Sequence, residues 1–276
     1  AVFSPHLLPR SLGERPQVRE RVFITATYAP DSSHLEPAPP IVLKPVTGWN
    51  PQKWDLEKDL PLDTDLTPPG TELTDSEKYW IDAWDEWVRR YYEASEGKQP
   101  PGFPVWADAW VSQEDLFIPD GTPKWKRNFL EKNSELFTNH KEWMVDWARK
   151  WDVYSDKFPP SRRKLEWQAQ NTPRLWDTVM HFRPSGIRAK KPTYLPALVA
   201  ITQTSIIGPL RRRLSVREAA RLQGLPETFT FGTQRDSASY KQLGNGVNVG
   251  AVYNVMKAVV NRDQDLLMRK PMLLDG

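Results

Sequence analysis

The 276-residue sequence contains no cysteine, which excludes disulfides, thiolate zinc sites and a thiol nucleophile within these residues. It also lacks the run of about 18 apolar residues that a membrane span needs, and no basic segment followed by an apolar stretch marks a signal peptide. With 39% hydrophobic and 26% charged residues, the composition is typical of a soluble globular protein. We therefore expect a cytoplasmic protein without a membrane partner or a metal site.

Two residue types are unusually common. The chain holds 13 tryptophans and 26 prolines, and proline makes up about 9% of the residues against an average of about 5%. Many prolines predict long ordered loops and short elements, and many tryptophans predict bulky anchors for helices. The first residue is Ala1 rather than methionine, which favours a processed or excised piece of a longer chain.

The net charge of +3 hides two regions of opposite sign. Residues 51–100 carry 13 acidic and 6 basic side chains, a net charge of −7. Residues 161–221 carry 13 basic and 3 acidic side chains, a net charge of +10. Such a cationic block is typical of a nucleic-acid-binding surface. The alternative is a solvated face that balances the acidic block within the same chain, and the charge alone leaves both open.

Two segments show helical periodicity. Thr74 and Glu77 form a capping-box pattern, followed by an aromatic stripe. The stripe consists of Trp80, Trp84, Trp87 and Tyr91. These rings could stack on bases, but they lie in the acidic block, which would repel phosphate, so core packing is favoured. Residues 124–151 predict a second helical region, in which Asn139 and Glu142 resemble a capping pair and tryptophans then repeat every four residues.

Shorter signals divide the rest of the chain. The β-branched and aromatic residues at 22–28 predict a strand, and the proline-rich segment 29–72 predicts a long irregular loop. Proline and glycine interrupt the basic stretch 161–191, which predicts loops whose Arg and Lys side chains contact phosphates and base edges. The apolar stretch 195–207 predicts one buried strand.

The C-terminal segment predicts two helices. Residues 218–223 form a short helix that Gly224 ends in a left-handed conformation. A loop then reaches Tyr240, and residues 244–246 (Gly-Asn-Gly) make a tight turn. The final helix presents an apolar face formed by Val249, Val252, Met256 and Val259.

Three motifs give the sequence a family resemblance. The Gln-x-Arg-x-Arg pattern at 17–21 resembles the eighth conserved motif of the C5-cytosine DNA methyltransferases. Residues 213–226 resemble their ninth motif and residues 240–249 their tenth. The motifs stand in family order, and a long variable segment separates them where the family keeps its target recognition domain. The chain is therefore identified as a member of this family, whose enzymes occur in restriction-modification systems.

The resemblance covers only the C-terminal half of such an enzyme. The family's glycine-rich turn, its Pro-Cys nucleophile motif and its Glu-Asn-Val motif precede the eighth motif, and none is found here. The chain is then either an excised fragment, which Ala1 favours, or the second subunit of a split enzyme. We expect an α+β fold: the end of the catalytic domain at 1–39, a Trp-rich recognition domain at 40–210, and residues 211–276 returning to an incomplete Rossmann-like domain.

The resemblance also implies a chemistry. In the family a cysteine thiolate attacks C6 of a flipped cytosine, and C5 then takes a methyl group from S-adenosylmethionine. Arg21 matches the arginine that points at the flipped base, where a fixed cation stabilises developing negative charge. Arg19 would support this pocket and Gln17 would help to position both arginines. Without the other motifs, these residues would be ordinary strand-edge charges.

Two further groups of residues follow from the resemblance and the charge. Asn245 and Gly246 match the tenth motif beside the methyl donor, although Gly-Asn-Gly alone is also a simple turn. In the ninth motif, Arg217 and Glu218 are expected to hold loops. The predicted base-reading residues are Arg183, Ser185, Arg188, Lys190 and Lys191. The predicted phosphate contacts are Arg162, Arg163 and Lys164.

Two functions of different classes remain open. The first is the recognition part of a DNA (cytosine-5-)-methyltransferase, inactive alone and partnered by double-stranded DNA and by an N-terminal catalytic half or a separate catalytic subunit. The second is a non-catalytic DNA-binding or interaction module derived from such an enzyme. The intact motifs at 17–21 and 244–246 favour the first, because a module without catalysis has no evident use for them.

Overall fold

A computed structural model of the chain describes residues 2–8, 15–26, 39–41, 43, 54–60, 62–63, 67–198 and 204–268. Internal contacts divide the chain into two compact units. Unit 1 comprises Ala1–Leu62, Thr193–Thr202 and Val216–Gly276, and unit 2 comprises Asp63–Pro192 and Gln203–Ser215. These limits differ from the domain limits predicted at residues 40 and 211. Most of the predicted irregular segment 29–72 lies outside the described residues.

The described residues form short strands and helices of very different lengths. The strands are β1 (Val2–Phe3), β2 (Gln17–Val18), β3 (Arg21–Val22), β4 (Val105–Trp106), β5 (Lys164–Gln168), β6 (Val179–Arg183), β7 (Gly186–Lys190), β8 (Leu195–Pro196), β9 (Ile206–Ile207) and β10 (Arg212–Arg213). The α-helices are α1 (Leu56–Asp59), α2 (Asp75–Ala94), α3 (Lys124–Lys150), α4 (Val216–Leu222), α5 (Asp236–Asn245), α6 (Val249–Arg262) and α7 (Gln264–Leu267). No helix within the described residues is long and apolar enough to cross a membrane.

Unit 2 is built on a mixed six-stranded sheet. The strand order is β10-β9-β6-β7-β5-β4, and all neighbours are antiparallel except the parallel pair β5 and β7. The two-residue connection between β6 and β7 is a turn at Pro184 and Ser185. Gly186, which follows it, has φ +138, and a Cβ there would lie 2.9 Å from the Lys164 carbonyl oxygen. Glycine is therefore required where this hairpin passes β5.

Helices α2 and α3 supply the tryptophans of the core in unit 2. Trp84, Trp87 and Trp147 are fully buried, so the prediction of core packing for these rings is confirmed. The predicted capping box of α2 is also confirmed, with both reciprocal hydrogen bonds between Thr74 and Glu77 present. Two of these buried indoles have backbone acceptors: Nε1 of Trp84 donates to the Arg162 carbonyl and Nε1 of Trp147 to the Ala83 carbonyl. These contacts anchor helices that a smaller core could not hold.

Helix α3 is continuous from Lys124 to Lys150 but kinks at His140, whose backbone angles are φ −130 and ψ 19. The kink lies beside Asn139, the residue at which the sequence divides this region into two segments. The His140 ring packs 5.3 Å from Tyr91 of α2 and 5.8 Å from Trp143, centroid to centroid. The kink therefore lets the two parts of α3 pack against the same aromatic cluster in different directions.

Two predictions for the middle of the chain are wrong. The basic stretch 161–191 does not form mainly loops, because β5, β6 and β7 occupy about half of it and carry half of its charged residues. Apolar and polar residues alternate along these strands, and proline and glycine stand only at their ends. The predicted strand 195–207 is instead two short strands, β8 in unit 1 and β9 in unit 2. Pro196 ends β8 because it has no amide proton for a ladder.

Unit 1 contains two small strand pairs and the C-terminal helices. β1 pairs with β3 in antiparallel orientation, and β2 pairs with β8 in parallel orientation. The predicted strand 22–28 is shorter than expected: β3 ends at Val22, 23–26 are irregular, and 27–28 lie outside the described residues. Val22 and Ile24 are 72% and 94% exposed, so the apolar side chains of this segment find little to pack against among the described residues.

The C-terminal helices match the sequence only in part. Gly224 follows α4 with φ +75, so the predicted left-handed cap is confirmed. The predicted loop is present only as far as Arg235, because α5 begins at Asp236. The predicted tight turn at 244–246 is wrong, because α5 runs through Asn245 and Gly246 is its C-cap. A single glycine at position 244 inside this segment does not break the helix. The chain as a whole is a mixed α/β structure.

Candidate functional site

Arg19 is the most constrained charged residue of unit 1. Its side chain is 2% exposed and donates to three carbonyl oxygens, of Leu198 at 2.6 Å, Gly244 at 2.5 Å and Gly246 at 2.7 Å. Its backbone amide donates to Oγ of Ser4 at 2.9 Å. Burial, and then the neighbouring Arg21 cation, lower the pKa of Arg19 to about 10, so it stays charged at neutral pH. The guanidinium ties the 17–21 motif to the end of α5.

Gln17 supports the same connection from inside the unit. It is fully buried and pairs with Leu195 in the parallel ladder of β2 and β8. Its Nε2 donates to the Pro196 carbonyl at 3.5 Å, and its buried Oε1 has no hydrogen-bond partner among the described residues. Gln17 thus lies beneath the arginines and positions the backbone that carries them.

Arg21 differs from Arg19 in exposure and in bonding. It is half-buried, and among the described residues its guanidinium is seen to donate only to the neighbouring Glu20 carbonyl, at 2.8 Å. Together with Phe3, Phe23 and Val247, it lines a shallow depression of unit 1. Of the two motif arginines, Arg21 is the one whose charge remains available to a ligand.

The tenth motif contains one predicted residue that is exposed and one buried residue that the sequence did not single out. Asn245 is exposed at the end of α5, whereas the Gly246 carbonyl is occupied by Arg19. Asn248 is 1% exposed, donates to the Leu222 carbonyl at 2.9 Å and accepts from the Ala251 amide at 3.0 Å. Asparagine directly before an apolar helix is a capping signal that could have identified it.

The ninth-motif residues hold loops together, as expected. Nη2 of Arg217 donates to the Phe229 carbonyl at 2.7 Å, and Arg221 pairs with Glu227 at 2.6 Å. Gln223 donates to the Leu243 carbonyl, and its own carbonyl accepts from the amide at position 249 at 2.8 Å. These bonds connect α4 with the segment around α5 and α6.

In unit 2 the charged residues of the central strands share one face of the sheet. Alternate residues of β5, β6 and β7 are buried against the tryptophan core, and the others face away from it. We call these outward residues the polar sheet face. It comprises Lys164, Glu166, Gln168, His181, Arg183, Arg188 and Lys190. Three of the predicted base-reading residues are thus brought together, while Ser185 is exposed in the hairpin turn and Lys191 follows β7 half-buried.

The carboxylate of Glu166 lies beside both arginines of this face. Oε2 of Glu166 accepts from Arg188 Nη2 at 2.6 Å and Nε at 2.7 Å, and lies 3.8 Å from Arg183 Nη1. His181 shares a 2.8 Å hydrogen bond with Oγ of Ser205. Burial, and then the surrounding lysine and arginines, lower the pKa of His181 to about 4. His181 is therefore neutral at physiological pH and adds no charge to the face.

Two of the predicted phosphate contacts require correction. Arg162 is 7% exposed, donates to the Arg183 carbonyl at 2.9 Å and packs 4.5 Å from the Phe182 ring centroid. Arg163 donates to the Phe158 carbonyl at 2.8 Å and pairs with Asp108 at 3.2 Å. Guanidiniums engaged in this way hold the protein together and are poorly placed for phosphate. Lys164 lies 4.2 Å over the ring of Trp106 and remains half-exposed.

Comparison with known proteins assigns the family. Residues 3–261 match the family described as C-5 cytosine-specific DNA methylase. The chain belongs to this family. Its members use S-adenosylmethionine as the methyl donor. No cluster of His, Cys, Asp or Glu that could hold a metal ion occurs among the described residues.

Relatives within the family are bacterial type II methyltransferases. The chain is 45% identical over 347 residues to Type II methyltransferase M.AluI of Cellulosimicrobium cellulans, a match that covers 98% of the chain and 66% of the relative. It is 44% identical over 50 residues to Type II methyltransferase M.NgoPII of Neisseria gonorrhoeae, covering 18% of the chain and 15% of that relative. The chain thus spans somewhat less than two thirds of the M.AluI relative. No solved structure gave a significant match.

Proposed function

We propose that the chain is the C-terminal, target-recognition part of a DNA (cytosine-5-)-methyltransferase that methylates C5 of a flipped cytosine in duplex DNA. The observation that supports this most directly is the bonding of Arg19. Its guanidinium joins the 17–21 motif to the carbonyls of Gly244 and Gly246, so residues far apart in sequence meet in unit 1. This arrangement leaves Arg21 and Asn245 on the surface, where a base and a methyl donor can be bound. In a bacterial cell the site of action would be the cytoplasm, at the nucleoid.

Each exposed residue has a distinct role in this proposal. Arg21 lies beside the flipped cytosine, and its charge stabilises the negative charge that develops on the ring when a thiolate attacks. Asn245 has an exposed amide at the end of α5, which suits hydrogen bonds to the amino-acid end of S-adenosylmethionine. The donor supplies the methyl group. Arg19 and Gln17 are positioning residues, because both are buried away from any ligand.

The thiolate and most of the donor site have to come from residues outside these 276, which contain no cysteine. The source would be an N-terminal catalytic half or a separate subunit. A docking surface for it is offered by α6, on which Val249, Val252 and Met256 are 46%, 40% and 51% exposed. An apolar stripe of this kind on a helix is typical of an interface that another segment covers.

Complementation tests the proposal. The chain is mixed with a polypeptide that carries the Pro-Cys motif and the donor site, and transfer of a labelled methyl group to duplex DNA is measured. We expect transfer only from the mixture, and its loss in Arg21→Ala. If the mixture binds DNA but never transfers methyl groups, the enzymatic proposal fails. Salt-dependent DNA binding that needs neither Arg21 nor Asn245 would then indicate the non-catalytic binding module.

A further inference from the structure

An acidic side chain lies at the centre of the polar sheet face. Glu166 of β5 stands directly opposite Arg188 of β7 in the parallel ladder, and Arg188 stands opposite His181 of β6. Glu166 is the only acidic residue of this face. A surface that served only to attract phosphate would be weakened by a central carboxylate, because the carboxylate repels the phosphate oxygens. The position of Glu166 therefore calls for a different kind of ligand.

The ion pair leaves hydrogen-bonding atoms of both kinds unused. Both short bonds from Arg188 end on Oε2 of Glu166, and within the described residues no partner is found for Glu166 Oε1 or for Arg188 Nη1. The side chains are 15% and 31% exposed, respectively. The face thus presents an acceptor beside a guanidinium edge of fixed orientation. Because the carboxylate fixes one edge of the guanidinium, the arginine side chain loses less conformational entropy when its other edge binds a ligand.

This pattern is complementary to one base pair of DNA. In the major groove, guanine presents the acceptors O6 and N7, while the cytosine paired with it presents the N4 amino donor. Arginine is the usual partner of the guanine edge, and a carboxylate accepts from N4. Arg188 lies on the β6–β7 hairpin and Glu166 on the neighbouring strand β5, so two adjacent strands present the pair on the same face of the sheet.

We infer that Arg188 and Glu166 together read one G·C base pair of the recognition sequence, Arg188 donating to guanine O6 and N7 and Glu166 accepting from cytosine N4. This inference rests on the proposed function, because it requires duplex DNA as the ligand. Arg183, whose side chain is 43% exposed, lies 3.8 Å from the same carboxylate oxygen of Glu166. Neutral His181 supports the pair from β6 without adding a competing cation.

The test uses the full chain mixed with its catalytic partner, and a pool of duplexes with a randomised central segment. Selection by the unmodified protein should enrich a G·C pair at a defined position. Arg188→Ala and Glu166→Met should each abolish the preference at that position, a loss of roughly 5- to 150-fold in discrimination, and leave the other positions unchanged. Methionine is used because glutamine would keep an oxygen that accepts from N4. Arg188→Lys keeps the charge but cannot hold both the carboxylate and the guanine edge from one fork, so it should reduce the preference and retain more overall affinity than Arg188→Ala, which guards against a folding defect.

Base analogues connect each residue with one atom of the pair. In the enriched duplex, 7-deazaguanine removes the N7 acceptor and pyrimidin-2-one removes the N4 amino group. The first analogue should weaken binding by the unmodified protein but leave binding by Arg188→Ala unchanged. The second analogue should weaken binding by the unmodified protein but leave binding by Glu166→Met unchanged. The matched control is the exposed pair Arg149 and Asp146 of α3, 3.1 Å apart, whose substitution by Ala and Asn should change no preference.

The outcomes separate the inference from the proposed function. An equal loss of affinity for all sequences in Arg188→Ala would make Arg188 a phosphate contact and overturn the inference, while leaving the proposed function in place. Analogue effects that persist in the variants would overturn it in the same way. If the unmodified mixture bound no duplex at all, both the inference and the proposed function would fall.

Discussion

Arg19 and Arg21 show how two arginines of one motif acquire opposite roles at the scale of single residues. The side chain at 19 is buried with three carbonyl acceptors, and the side chain at 21 is half-buried with one neighbouring acceptor. Residues two apart would share a face in a regular strand, but the chain is irregular at residues 19 and 20, between β2 and β3, so the two side chains lie in different surroundings. The sequence pattern assigns both to a catalytic pocket, whereas the structure makes the first a link within unit 1.

Substitution of these arginines should separate stability from activity. Arg19→Lys keeps the charge but cannot reach three carbonyls from one rigid fork, so we expect the free energy of unfolding to fall by about 3 kcal/mol. Arg21→Lys should change it by less than about 0.5 kcal/mol while strongly reducing methyl transfer by the complemented enzyme. Urea unfolding and labelled-methyl transfer measure the two effects. Equal destabilisation by both substitutions would contradict the distinction.

His181 predicts a pH dependence for the stability of unit 2. Its folded pKa of about 4 lies below the ordinary value of 6.5, so the unfolded chain binds a proton first as the pH falls. The stabilisation is complete above pH 6.5 and is lost between pH 6.5 and 4, by at most about 3 kcal/mol. His181→Gln should flatten the stability profile in this range. His140→Gln is the control and should flatten it less, because burial alone lowers the pKa of His140.

At the scale of elements, the long amphipathic helices could be predicted and the short strands could not. The capping box at Thr74 and the tryptophan spacing in α2 are local signals, and the structure follows them. Strands β8, β9 and β10 have two residues each, so their partners rather than their own patterns define them. The cationic side chains of 161–191 could be identified from the sequence, but the sheet face that collects them depends on the β5–β7 register, which no local pattern specifies.

The exposed face of α6 predicts an effect on assembly rather than on folding. Val252→Asp and Met256→Asp change exposed side chains, so the free energy of unfolding of the chain alone should shift by no more than about 0.5 kcal/mol. A charge on this face should, however, prevent the catalytic half from binding and abolish complementation. Lys257→Glu, on the same helix and also exposed, provides the control with unchanged assembly. Unaltered methyl transfer by Val252→Asp would show that the partner docks elsewhere.

At the scale of the whole molecule, the acidic stretch 51–100 and the cationic stretch 161–221 both lie mainly in unit 2. The acidic stretch includes α2, whose acidic residues pair with basic ones of the same unit. Examples are Asp85 with Arg174 at 2.8 Å and Glu86 with Lys150 at 2.6 Å. The cationic stretch contributes the polar sheet face, where Arg183 and Arg188 lie beside Glu166, so part of the charge is balanced within the unit.

This distribution predicts a salt effect on DNA binding that differs between lysines. Lys191, which the sequence places among the base-reading residues, lies just beyond β7 and outside the polar sheet face. We therefore expect Lys191→Ala to lower affinity for all duplex sequences alike and to reduce the slope of log K against log salt by about 1. Lys126→Ala on α3, an exposed lysine far from the sheet in sequence, should leave the slope unchanged. Titration at several salt concentrations measures both. A sequence-dependent loss in Lys191→Ala would instead make Lys191 a base contact.

The pairing of β2 with β8 has a consequence for the order in which the chain folds during synthesis. Gln17 finds its partner at Leu195, and the carbonyls that hold Arg19 belong to Leu198, Gly244 and Gly246. Strand β2 therefore has no partner when it leaves the ribosome, whereas β1 and β3 can pair at once and most of unit 2 is complete by Pro192 and can fold first. Removal of the residues after α4 would accordingly release the guanidinium of Arg19 from Gly244 and Gly246, although these lie more than 200 residues further along the sequence.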